Sequence, residues 1–159
     1  MRLVSFGEKG HERVGVAVDG DILDLVTADV SLPDSVVGIL EQDAFDAVAR
    51  AVESGRGTRI SEEGVRLGAP ITRPSKIVCV GLNYHDHAAE QNVSLPEHPL
   101  LFSKASSSVI GPYDEVVLPE ACKQVDYEVE LALVIGCQAT RVTEADAYDY
   151  IAGYMVAND

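Results

Sequence analysis

The stretch Val125-Asp126-Tyr127-Glu128-Val129-Glu130-Leu131-Ala132-Leu133-Val134-Ile135-Gly136 constrains this chain most. It is a short apolar run with β-branched residues, closed by a glycine, and it reads as a β-strand. Side chains alternate along a strand, so Glu128 and Glu130 share one face with Ala132 and Val134. Val129, Leu131, Leu133 and Ile135 form the other face. Apolar residues on both faces predict a strand covered on both sides. Two carboxylates at the mouth of such a strand repel each other and are costly to desolvate. A divalent cation removes both costs. The alternative is an edge strand with a solvated acidic face.

The 159 residues allow one domain, or one domain with a small appendage. A hydrophobic share of 47% is enough for a real core. The net charge of −14 disfavours nonspecific binding to nucleic acid or to an anionic membrane surface. Small anionic substrates stay open, because a local metal ion or lysine can dominate the field of a site. Cys79, Cys122 and Cys137 are odd in number and lack C-x-x-C spacing, so they read as reduced thiols of a cytoplasmic protein. The first residues lack the long apolar segment of a signal peptide, and no apolar run approaches the roughly 20 residues that span a bilayer.

Two regions are expected. Residues 1–70 form a small α/β N-terminal domain. Strands at Leu3–Phe6, Arg13–Val18 and Ile22–Asp24 make a meander with a hairpin turn at Asp19-Gly20. Helices follow, one opening at Ser31-Leu32-Pro33-Asp34 and one over Asp43–Glu53. His11 lies in a charged turn and reads as a surface residue. A Gly- and Pro-rich connection over 61–75 carries the boundary, near residue 70.

Residues 71–159 carry the chemistry. Ile77–Val80 is an apolar strand, and His85–Gln91 reads as a short helix. His87 and Glu90 are three apart and share a helical face. A carboxylate that orients an imidazole builds a general base near neutral pH, while an ordinary surface pair is the plainer reading. His85 points elsewhere, so H-x-H metal binding is disfavoured. Leu100–Phe102 is a strand leading to Lys104, which either holds a substrate carboxylate or is solvated. Thr143–Tyr148 reads as a helix capped by Thr143. Ile151–Ala157 is a last apolar strand, followed by Asn158 and Asp159.

Taken together, G-L-N-Y-x-D-H-x-x-E at 81–90, L-F-S-K at 101–104, D-Y-E-V-E-L at 126–131 and G-Y-M-V-A-N-D at 153–159 resemble the fumarylacetoacetate hydrolase family. The resemblance covers residues 74–159. It implies an α+β, β-rich fold built on a coiled mixed sheet, and a homodimer. It implies Mg²⁺ or Mn²⁺, with Ca²⁺ also used in the family, on Glu128, Glu130 and Asp159. These all-oxygen ligands favour a hard cation over zinc. The resemblance places a catalytic dyad on His87 and Glu90, and substrate contacts at Lys104 and Leu82. Leu82 stands where several members carry Arg or Tyr. Members also continue beyond the position of Asp159, so the chain is expected to lack a last third to half of the fold.

The expected reaction is metal-dependent hydrolysis of a C–C bond in an acylpyruvate or related β-diketo acid. Decarboxylation of oxaloacetate and isomerisation of a hydroxymuconate-type diacid use the same enolate chemistry and stand as alternatives. A non-catalytic metal-binding or assembly module is the alternative of another class.

Overall fold

The computed structural model describes all residues from Met1 to Asp159. Strands β1 (Leu3–Phe6), β2 (Arg13–Val18) and β3 (Asp21–Asp24) form the expected meander. The β2–β3 register pairs Val18 with Asp21, leaving a two-residue loop. Asp19 and Gly20 both take positive φ, 54° and 87°, as a turn matched to the twist of the strands requires. Two further strands complete this sheet, β4 (Arg59–Ser61) and β5 (Leu67–Gly68), in the order β4-β3-β2-β1-β5. Both lie where the sequence suggested only connection, because strands of two or three residues carry no periodic signal.

Three helices pack on this sheet. The first, α1 (Leu25–Ala28), was not evident from periodicity and follows β3 directly. Asp24 is fully buried and caps it, accepting a hydrogen bond from the Val26 N–H at 3.2 Å. Helix α2 (Val36–Glu41) is capped by Ser35 at the Gly38 N–H, so Pro33 stands before the cap rather than in the first turn. Helix α3 (Phe45–Ser54) ends at Gly55, whose φ of 63° is the left-handed close that favours glycine. Val14, Val16, Leu25, Ile39 and Val48 are buried together beneath the helices. Each such side chain contributes about 1.5–3 kcal/mol on burial. Ala88 is the only buried apolar residue beyond Ala51, so the packed core sits in the first third of the chain.

The remainder consists of two antiparallel ladders. Strand β6 (Ile77–Gly81) pairs with β7 (Leu100–Lys104), with α4 (His85–Glu90) between them in sequence. Strand β8 (Val129–Ile135) pairs with β9 (Ile151–Asn158). The fold is α+β and strand-rich, as expected, with every ladder antiparallel.

Two expectations are corrected. Strand β8 is not covered on both sides: Val129 and Leu131 are 72% and 59% exposed, and Leu133 and Ile135 are exposed as well. The physical reason is that β8 pairs with β9 alone and no second layer packs on that face. The expected helix at Thr143–Tyr148 is a turn followed by a 3₁₀ segment, Ala147–Tyr150. Instead of capping a helix, the Thr143 hydroxyl donates to the Asp146 carboxylate at 2.7 Å.

One side-chain cluster joins the N-terminal sheet to the connection after β7. Arg66 donates through Nε and Nη2 to both oxygens of Asp114, at 2.8 and 2.6 Å. Its Nη1 reaches Glu12 at 2.9 Å and the Gly7 carbonyl at 3.2 Å. This fork geometry is the strong form of the ion pair. The guanidinium, helped by the Gly111 N–H, holds the Asp114 carboxyl at about 2, against an ordinary 3.8.

Candidate metal centre and active site

The β8–β9 ladder extends one pair past its regular strands. The Glu128 N–H donates to the Asp159 carbonyl and the Asp159 N–H to the Glu128 carbonyl, each at 2.9 Å. Residues that exchange both bonds sit directly opposite, with side chains on the same face. Glu128 and Glu130 share a face by alternation, so all three carboxylates converge. Their oxygens lie within 4.8 Å of one another. Asn158 reinforces the register, its side-chain oxygen accepting from the Glu128 N–H at 3.2 Å.

Glu130 is half-buried, whereas Glu128 and Asp159 are exposed. The desolvation cost anticipated from sequence is therefore smaller than expected, and mutual repulsion is the larger cost of this cluster. Three oxygen donors on one face suit a hard divalent cation such as Mg²⁺ or Mn²⁺. The donor set thus fits the ion that the resemblance implies.

Lys104 ends β7 and places Nζ 2.5 Å from Asp159 Oδ2. That hydrogen bond, outweighing partial desolvation, raises the ammonium above the ordinary lysine range. Lys104 is thus turned to a carboxylate of the protein.

His87 and Glu90 both lie on α4, but no hydrogen bond or ion pair joins them. The His87 Nε2 atom instead lies 2.7 Å from the Gln91 amide nitrogen, with His87 half-buried and Gln91 exposed. The Gln91 amide nitrogen can only donate, so Nε2 is the acceptor in this contact. Gln91 stands four residues from His87, a spacing that made it findable in the sequence. Leu82 directly follows β6 with φ at 51°, a strained backbone for a bulky residue. It lines an open cleft of about 240 Å³ with Asn83, His98 and Leu100. All three cysteines are unpaired thiols. No helix is long and apolar enough to cross a membrane.

Residues 76–159 match the family described as fumarylacetoacetate (FAA) hydrolase C-terminal. Across its whole length the chain is 43% identical to oxaloacetate tautomerase Fahd2a, mitochondrial, of Rattus norvegicus, covering 52% of that protein. The fold matches maleylpyruvate hydrolase from a Sphingobium species, solved with manganese(II) and pyruvate. The TM-score is 0.78 and the identity 29%, over all of this chain and 58% of that one. It also matches 5-carboxymethyl-2-hydroxymuconate delta-isomerase from Mycobacterium smegmatis, with TM-score 0.67 and 28% identity, over all of this chain and 54% of that one. The chain therefore spans about half the length of the curated relatives it matches. With the family model matching residues 76–159, just over half of its length, the chain belongs to the fumarylacetoacetate hydrolase family.

Proposed function

We propose that the full-length protein catalyses divalent-metal-dependent enolate chemistry on a small 2-oxo acid, with keto–enol tautomerisation of oxaloacetate as the first substrate reading. The observation that carries the proposal is the convergence of Glu128, Glu130 and Asp159 on one face of the β8–β9 ladder. The choice of oxaloacetate is supported by the name of the rat relative, 43% identical.

Tautomerisation moves one proton between C3 and the C2 oxygen and breaks no C–C bond. It needs a group to carry the proton and a way to stabilise the enolate. A divalent cation held by the three carboxylates would supply the charge stabilisation. His87 is the proposed proton carrier, since an imidazole ring can both accept and donate a proton. Gln91 holds its ring in the substrate-free geometry. Glu90, on the same helix, is the proposed orienting carboxylate once substrate closes the site, where catalytic hydrogen bonds tighten. Leu82 contributes an apolar wall to the cleft rather than a charged contact.

A second reading is the C–C hydrolysis of an acylpyruvate, favoured by the likeness to maleylpyruvate hydrolase. Both readings share the metal ligands, and the products separate them. With Mn²⁺ present, decay of the oxaloacetate enol absorbance without CO₂ or pyruvate release supports tautomerisation. Release of pyruvate and a second acid from an acylpyruvate supports hydrolysis, and CO₂ supports decarboxylation. Replacing His87 with Ala should slow turnover at least tenfold, within the roughly 10²–10⁴ typical of positioned acid–base groups. Unchanged turnover removes His87 from the mechanism. Metal uptake without turnover of any 2-oxo acid favours a binding module instead.

A homodimer is part of the proposal and is checked by light scattering, which reads the molar mass in solution. The rat relative is named as mitochondrial, so that compartment is the alternative to the cytoplasm. Cell fractionation distinguishes the two.

A further inference from the structure

Lys104 makes its ion pair with the protein itself. Its Nζ lies 2.5 Å from Asp159 Oδ2, with each side chain about one-third exposed. It also stands 5.2 Å from the centre of the Phe102 ring, which limits where the ammonium can swing. No other hydrogen bond or ion pair connects the β6–β7 ladder to the β8–β9 ladder. The lysine therefore reaches across from one ladder to neutralise a carboxylate on the other.

Charge counting gives that contact a meaning. Glu128, Glu130 and Asp159 together carry three negative charges within 4.8 Å. Lys104 reduces the sum to two while no cation is bound, and a divalent cation would meet its positive charge at Asp159. We propose that Lys104 is a resident counter-cation of the carboxylate centre, stabilising the cluster while it is metal-free and competing with the metal for Asp159. The proposal rests on Glu128, Glu130 and Asp159 being the metal ligands. Lys104 is then a positioning residue that sets metal affinity.

Thermodynamic linkage makes this a double prediction. In the full-length protein, Lys104→Met keeps the aliphatic stem and removes the charge. It should lower the Tm of the metal-free protein more than that of the Mn²⁺-loaded protein. It should also tighten Mn²⁺ binding, read from loss of the free-ion EPR signal. The expected change is about tenfold, the scale for removing a unit charge a few ångströms from a divalent ion in a largely aqueous dielectric. Lys104→Arg, which keeps the charge, should resemble wild type in both measurements. If metal-free Lys104→Met is unfolded, recovery of a cooperative transition with Mn²⁺ is the same result in stronger form. Equal Tm losses with and without Mn²⁺ at unchanged affinity overturn the proposal, as does failure of Mn²⁺ to restore an unfolded variant. If wild type takes up no Mn²⁺, or Glu130→Gln takes it up equally well, the ligand assignment itself fails. That failure is seen without any lysine variant.

Discussion

Glu128 and Asp159 sit directly opposite one another, exchanging both backbone hydrogen bonds at 2.9 Å although they are 31 positions apart in the chain. Strand alternation then adds Glu130 to the same face. A carboxylate cluster assembled this way inherits the rigidity of a sheet ladder, since its geometry depends on strand register rather than on loop conformation.

The first prediction tests that assembly. Asp159→Asn and Glu130→Gln each preserve shape and remove one anionic donor. Each should weaken Mn²⁺ binding by more than the roughly 10–100-fold typical of losing an outer-shell partner. Isothermal titration of the full-length variants measures this directly. Affinity within a factor of two of wild type would move the metal elsewhere.

Acid stability should report the Arg66–Asp114 fork. Asp114 is held at about 2 in the fold, against an ordinary 3.8. A depressed carboxyl binds its proton more readily in the unfolded chain, so its contribution is present above about pH 4. It is lost as pH falls from about 4 towards about 2. Asp114→Asn should therefore flatten this part of the Tm–pH curve relative to wild type. An equally steep curve for the variant would show that other carboxyls govern acid unfolding.

Asp24 should matter to stability well away from the carboxylate centre. It is buried, caps α1 at the Val26 N–H, and has Arg13 Nη1 at 3.1 Å from Oδ2. That contact is an ion pair without hydrogen-bond alignment. Asp24→Ala should cost about 1–2 kcal/mol, the upper range for a helix cap. Urea unfolding would show a lower midpoint with an unchanged slope. Asp24→Asn, which keeps the accepting oxygen, should lose less.

Much of the architecture was legible because it depends on local rules. Val14, Val16 and Val18 alternate, Asp19-Gly20 supplies the turn, and Phe45, Val48 and Val52 repeat at helical spacing, so the meander and α3 were readable. Leu25–Ala28, Arg59–Ser61 and Leu67-Gly68 were not: a single helical turn shows no period, and the two short strands are defined by their pairing with β3 and β1. Thr143 preceded a plausible helix pattern, yet its hydroxyl turned to Asp146 and the segment tightened to 3₁₀ geometry.

For the site, the sequence by itself pointed to the candidate residues: Glu128 and Glu130 through alternation, with Asp159 and Lys104 singled out by family motifs. Only the tertiary structure decided their relations. The register that sets Asp159 opposite Glu128, the reach of Lys104 between two ladders, and the contact of Gln91 rather than Glu90 with His87 all depend on where side chains meet in space. The exposed outer face of β8 is of the same kind. An apolar run records that burial is favourable, but whether a layer arrives to cover it is decided by packing between elements.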